Sequence, residues 1–442
     1  MNGKTFSEVL KISIPAAGEM TAYTLMSIFD TMMIGNYGGN SALNAVGICN
    51  EITTSITNIL IVFGVSIGIS SLVARSIGAR ENNRAEEYAT LGLTIGIIMA
   101  ALTSILIFFN NYEVLKITGA KALILINSLM YIKIFSIAMF LIMTVNLINA
   151  ILRGYGNTYT PFLVSIIIAA IKILLDVCLI FGNITPELGI QGAGLASVIA
   201  EFVGLIYLIY FLNTSSKVKI RMEYILRFKF RRCKELIELA LPSTLQGAAF
   251  SISRFFGTMI VMYAGTTAFV ANQIANTVES ISVMPGVGFG TAATTLVGIK
   301  FGEKYFKKAR SYTYSCAFWA VSISLLFAAL FVFFPKLLIG TFITGSESET
   351  LRLGAMCLAV GALEQPAIAM AYVMSGALKG AGDTKSPLYI SLFTGWGIRL
   401  PLMFYFIYIL KKSVVCVWWI TVLQWSIEAV LLTWCFKKKF NK

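Results

Sequence analysis

The stretch Ala169–Ile180, AAIKILLDVCLI, holds one base and one acid in an otherwise apolar run. Lys172 and Asp176 are four residues apart, so a helix puts them on one face about one turn apart. Such a pair can be a static ion pair that fixes packing. It can also be a switch, because the carboxylate can hold the ammonium, a proton or a metal cation. Further charges sit inside long apolar runs: Glu19, Asp30, Glu51, Glu201, Glu279, Glu364, Glu428, Arg254 and Arg399. An acid in hydrocarbon costs on the order of several kcal/mol unless it is paired, protonated or wet. With Lys172 and Asp176 included, eight acids face three bases, an excess that favours a cation over an anion wherever these groups line a cavity.

Several chemistries are not expected. The chain has no histidine, which removes the commonest metal ligand and proton shuttle. Its 7 cysteines are scattered, with no CxxC, and read as free thiols. There is no Ser/His/Asp set, HExxH or phosphate-binding loop, so neither an enzyme nor an ATPase is expected, and no bound cofactor. Energy must then come from an ion gradient or a partner.

The surrounding elements are membrane helices. Hydrophobic residues make up 57% of the 442, and charged residues only 13%, against about 25% in soluble domains. Apolar runs of about 20 residues recur throughout, long enough to cross a bilayer. The first follows Lys4, Glu8 and Lys11 and reads as a retained span. The pattern predicts twelve helices at 8–34, 50–74, 88–110, 126–152, 161–182, 191–213, 234–263, 274–299, 311–334, 352–378, 386–410 and 414–436. With the N-terminus in the cytoplasm, inside segments hold 25 of the 35 Lys and Arg, and outside segments hold 7. That asymmetry predicts both termini inside. It also accounts for the net charge of +14 without nucleic acid. The basic stretch 217–234 is expected to lie against anionic lipid headgroups.

The chain repeats itself. ISIPAAGEMTAYTL at 12–25 resembles LALPSTLQGAAFSI at 239–252. SSLVARSIGARENNRAEEYA at 70–89 resembles TTLVGIKFGEKYFKKARSYT at 294–313, and ILRGYGNTYTPFLVSI at 151–166 resembles ALKGAGDTKSPLYISL at 377–392. Offsets near 226 in all three predict two parallel six-helix lobes, 1–213 and 234–442, joined by a basic cytoplasmic linker, 214–233. In the repeated loops Gly154 and Gly156 are expected to end a helix with positive φ, Asn157 and Thr158 to turn, and Pro161 to start the next helix.

These residues resemble the multidrug and toxic compound extrusion (MATE) family. The resemblance rests on Pro15 and Glu19, DTMMIGNYGG from Asp30, LVARSIGA at 72–79, LRGYGNTYTP, LLDVCLIFGNITPELGIQGAGLAS at 174–197, MPGVGFGTAATTLVG at 284–298 and GALKGAGDTKSP at 376–387. It implies an all-α fold of twelve transmembrane helices in a V-shaped pair of lobes. It also implies an antiporter that exports cationic amphipathic compounds against inflowing H⁺ or Na⁺, in a cell membrane. The DinF-like bacterial branch is the nearest. Its coupling acids match Asp30 and Asp176, its helix 6 hydroxyl matches Ser197, and together they imply a Na⁺ or H⁺ site. Its asparagine one turn before the helix 5 acid is Lys172 here, a departure that places an ammonium where a cation would bind and leans towards protons.

Other readings stay open. Asp30 and Glu51 lie near helix ends and can be interfacial. Glu19, four residues after Pro15, either lines the opening made by the proline or anchors a bend. Arg254 and Glu279 form a structural ion pair or contact substrate. Arg399 is the repeat counterpart of Lys172, and Glu364 precedes Gln365-Pro366, where a kink is expected. The alternative function is a flippase of a lipid-linked precursor, which the excess of acids disfavours.

Overall fold

The structure is a computed structural model that describes residues 3–116, 122–182, 187–226, 229–342 and 348–440. Lys121, Arg227 and Lys442 of the charge count, and residues 183–186 of the 174–197 motif, lie outside them.

Helices make up nearly all of the described chain. Helix α1 (Gly3–Thr57) runs through a π-helical segment, Asn58–Val65, into α2 (Ser66–Gly78). The 8–34 and 50–74 spans are therefore not separated by a loop. They meet at a break at Gly39, whose φ of 56° and ψ of −149° suit a residue without Cβ. Then follow α3 (Asn82–Phe109), α4 (Ala122–Gly154), α5 (Tyr159–Phe181), α6 (Ile190–Thr214), α7 (Phe230–Tyr263), α8 (Thr266–Gly302) and α9 (Phe306–Phe333). The last four are α10 (Ser348–Gly361), α11 (Gln365–Gly380), α12 (Lys385–Leu392) and α13 (Val415–Phe440). Two π-helical segments, Phe393–Arg399 and Phe404–Ile409, extend α12.

Ten helices among the described residues are long and apolar enough to cross a membrane. Counting α10 and α11 as one span bent by 50° makes eleven. The bend falls at Gln365-Pro366, where proline, lacking an N–H, suits the first turn of a helix. The twelfth expected span, α1 before Gly39, is helical as well. It is less apolar because it carries Glu19, Asp30 and several hydroxyls.

The chain packs as two compact units, residues 22–244 in the first and residues 1–21 with 245–442 in the second. This grouping does not follow the 1–213 and 234–442 division. In the first unit Ile69, Tyr88, Met143, Leu147, Val164 and Ile168 form a buried core. The start of α7 belongs here: Tyr88 donates to Glu235, Arg232 Nη1 lies 3.0 Å from Tyr88 Oη, and Thr244 packs on Gly64. In the second unit the start of α1 takes the repeat-related place. Tyr312 donates to Glu8, Lys308 lies 3.5 Å from Glu8, and Ala17 packs against Gly288.

The repeated loops have one geometry. Gly156 (φ 92°) and Gly382 (φ 80°) end α4 and α11 in the left-handed region. Asn157 Oδ1 accepts from Thr160 N at 3.1 Å, and Asp383 Oδ1 accepts from Ser386 N at 3.0 Å, so each satisfies a free N–H in the first turn of the next helix. Gly154 is different from expectation. It stays helical and packs closely on Val73.

The second unit is closed by a seam of small residues between α8 and α11. A Cβ on Gly376 would lie 2.0 Å from the Gly290 carbonyl oxygen, and one on Gly380 would lie 2.3 Å from that of Thr294. Both obstacles are backbone. Gly376→Ala must therefore push two helices apart, a strain of about 1–3 kcal/mol or more. A lowered Tm in detergent is the expected result, and an unchanged Tm would show that the seam is not tight.

Candidate functional site

The first unit brings three charged side chains together in its interior. Asp30 comes from α1, Lys172 and Asp176 from α5. Lys172 Nζ lies 2.9 Å from Asp30 Oδ1, and 2.9 and 3.2 Å from the two oxygens of Asp176. All three residues are buried, at 6, 5 and 1% exposure for Asp30, Lys172 and Asp176. The i,i+4 spacing on α5 aims the ammonium at Asp176, and its long stem lets it reach α1 as well. Asp30 is thus a buried partner and not an interfacial acid, whereas Glu51 is exposed.

Two carboxylates and one ammonium carry a net charge of −1 when all are ionised. A single proton or monovalent cation makes the site neutral, which low dielectric favours. The ammonium already occupies one oxygen of Asp30 and both oxygens of Asp176. A proton needs one further lone pair, whereas an alkali cation needs several oxygens at once. Ser197, on α6, is buried, but its hydroxyl donates to Ala193 O at 3.0 Å within its own helix. Among the described residues no group of three or more His, Cys, Asp or Glu is arranged to hold a metal ion.

Two neighbours escaped the sequence reading. Tyr131 Oη donates to Asn50 Oδ1 at 3.0 Å, and this fully buried tyrosine lies within the field of both aspartates. A polar residue in each of two apolar runs was the available signal.

The second unit holds a different cluster. Gln365 Nε2 donates to Glu279 Oε1 at 3.0 Å, and Ser282 donates to Gln365 Oε1 at 2.8 Å. The bend after Gly361 places Gln365 there. Glu364 is buried beside Glu279, with Arg399 and Arg254 as the nearest positive charges. Arg399 ends the π-helical segment of α12, a wider turn that often marks a functional position. The expected Arg254–Glu279 ion pair is not formed. Arg254 is exposed, and Glu279 is held by the Gln365 amide instead. Glu19 is buried and belongs to this unit, so it is grouped apart from Asp30.

The charge balance at Lys172 predicts an asymmetry. Lys172→Met leaves two carboxylates facing each other without a cation, which should cost about 3–5 kcal/mol. Asp30→Asn leaves a neutral Lys172–Asp176 pair and should cost far less. Adding Asp30→Asn and Asp176→Asn to Lys172→Met should restore much of the stability. Thermal unfolding of the set in detergent checks this, and additive effects would refute it.

The family model MatE matches the chain twice, at residues 15–178 and 242–405. A Thermotoga maritima protein named "Probable multidrug resistance protein NorM" is 28% identical over 93% of this chain and 88% of its own length. The Bacillus subtilis "Uncharacterized transporter YisQ" is 24% identical over 91% of this chain and 88% of its own. A solved structure described as "Outward-facing conformation of a multidrug resistance MATE family transporter of the MOP superfamily" superposes with a TM-score of 0.92 at 21% identity, covering 99% of this chain and 96% of that one. One described as "Reverse polarity of binding pocket suggests different function of a MOP superfamily transporter from Pyrococcus furiosus Vc1" reaches 0.90 at 22%, with the same coverage. Two family matches that together span most of the sequence, on a fold shared with solved members, make this chain a member of the MatE family.

Proposed function

We propose that the protein is a secondary active antiporter that exports cationic amphipathic compounds in exchange for inflowing protons, with Asp30, Lys172 and Asp176 as the coupling site. The observation that carries this reading is the buried ammonium between two carboxylates. The site has one negative charge to neutralise, and Lys172 already fills much of the space that Na⁺ would need. Relatives named for multidrug resistance support efflux as the activity. The acids of the second unit, Glu279 and Glu364, together with Glu19, are the groups we assign to a cationic substrate. No covalent chemistry is required, so no enzymatic role is assigned.

The setting is a cell membrane, with both termini and the 214–233 linker on the cytoplasmic side. Part of the linker's charge is neutralised internally. Arg221 pairs with Glu86 at 2.8 Å, and Lys229 and Arg232 pair with Glu87 at 3.1 and 3.2 Å. The exposed Lys217, Lys219 and Lys234 remain for anionic headgroups.

Inverted vesicles loaded under separate ΔpH and ΔNa⁺ test the reading. Ethidium uptake should follow ΔpH in the wild type. Asp30→Asn should fold, bind ethidium and lose gradient-driven transport, whereas wild-type transport by a well-expressed Asp30→Asn protein would sink the assignment. Lys172→Asn replaces the ammonium by an amide oxygen and should gain Na⁺ dependence; unchanged ion dependence would mean that Lys172 does not set ion choice. Tighter binding of an anionic lipid pyrophosphate than of a cationic dye of similar size would replace efflux by lipid flipping.

A further inference from the structure

Glu201 is 3% exposed, and its Oε2 has no hydrogen-bond partner. A buried carboxylate oxygen without a partner is costly when charged, so the group is stable there only as the neutral acid or beside a cation. Helix α6 packs on α4 and α5, whose charged residues are Lys133, Arg153, Lys172 and Asp176. Of these, Lys172 is the one near enough to act on Glu201. Close contacts fix the register of α5 against α6. A Cβ on Gly192 would lie 2.6 Å from Leu179 O, and one on Gly204 would lie 2.5 Å from Ile168. Glu201 therefore lies across from the turn before Lys172, towards the Tyr159 end of α5. Asp176 engages Lys172 from the other, Phe181 end of α5, and Asp30 engages it from α1.

The repeat supplies a comparison. Glu428 on α13 is 227 residues after Glu201 and is also buried. Its carboxylate accepts from Thr394 Oγ1 at 2.8 Å and from Gln424 Nε2 at 3.3 Å. In the second unit both of these bonds fall on Glu428 Oε2, and the buried Lys379 is the cation nearby, whereas Glu201 Oε2 has no donor and Lys172 is the cation within reach.

We propose that Glu201 is an inner proton-carrying residue, and that Lys172 swings between it and the Asp30–Asp176 pair. The proposal rests on proton coupling at that pair. The cycle starts from the arrangement in the structure, with Lys172 on the two aspartates, and from a neutral Glu201. A proton arriving from outside binds one aspartate, cancels one negative charge and loosens its hold on Lys172. The ammonium then turns to Glu201, and the Glu201 proton leaves to water on the cytoplasmic side. The aspartate proton passes to the vacated Glu201 carboxylate as Lys172 returns. One proton enters and one leaves in each cycle, and no other group changes its charge.

The test uses full-length protein in proteoliposomes, with ethidium as substrate and a trapped pH-sensitive dye. Glu201→Gln mimics the neutral acid in shape and charge, so Tm should hold and ethidium Kd should stay within about two-fold of wild type. ΔpH-driven transport should fall at least ten-fold, and proton entry should fall with it. Glu201→Asp, a shorter carboxylic acid, should keep transport with a displaced pH profile. Infrared difference spectra between acidic and alkaline buffer should show a protonated-carboxyl band that vanishes in Glu201→Gln and moves to more acidic pH in Asp30→Asn/Asp176→Asn, where Lys172 has Glu201 to turn to. Wild-type transport by Glu201→Gln overturns the proposal while leaving proton coupling intact. Should Glu201→Gln fail to fold, a carboxyl band in Asp30→Asn/Asp176→Asn with the same pH dependence as in the wild type overturns it. A wild type driven by ΔNa⁺ and not by ΔpH overturns the coupling reading first, and this proposal with it.

Discussion

An ammonium between two carboxylates, in surroundings that exclude water, constrains everything around it. Lys172 cannot be buried alone, and neither can Asp30 or Asp176. Together they reduce three unfavourable charges to one, provided that α1 and α5 stay within hydrogen-bonding distance. That requirement fixes the approach of α1 to the bundle at Asp30. It also explains why the helices nearby carry few other charges: a further fixed cation would remove the single negative charge that makes the site responsive to protons. The second unit handles charge differently. There an amide, Gln365, holds one acid, and hydroxyl and amide donors hold Glu428. Cations stand near these acids as well, Arg399 by Glu279 and the buried Lys379 by Glu428.

The repeat organises the rest. Pro15 and Pro242, 227 residues apart, each sit in a helix shortly before the point at which the chain passes from one unit to the other. Proline removes one hydrogen bond from the helical ladder, so each helix is weakened shortly before its crossing. Ahead of each proline a carboxylate binds a tyrosine next to a basic residue: Glu8 with Tyr312 and Lys308, and Glu235 with Tyr88 and Arg84. The segments are anchored at their starts and softened at their ends.

What could be read from the residues alone followed from local rules. Apolar run length located the spans, i,i+4 spacing paired Lys172 with Asp176, and turn chemistry explained Gly156, Asn157 and their counterparts. What escaped depended on contacts distant in sequence. Asp30 and Lys172 are 142 positions apart, and no local pattern distinguishes Asp30 from the exposed Glu51. Arg254 and Glu279 looked complementary because their charges are, but Arg254 is exposed and the Gln365 amide takes the Glu279 oxygen instead. Gly39 escaped because a glycine in a polar stretch signals a loop as readily as a break in one helix. Ser197 has the expected chemistry, yet its hydroxyl is bonded to its own backbone, a choice made by rotamer and not by residue type.

The exchanged first segments also set an order of events during synthesis. Glu235 finds Tyr88 among residues already made, so the 22–244 unit can close as soon as α7 begins to emerge. Glu8 must wait for Tyr312, 304 positions downstream. At ribosomal rates of about 5–20 residues per second, that wait is on the order of tens of seconds. Until then Glu8 lacks the tyrosine it binds in the finished unit. Helices α8 and α9 therefore complete the surroundings of residues 1–21, and a ribosome that stops short of α9 leaves that segment, as well as the helices still unmade, without its contacts.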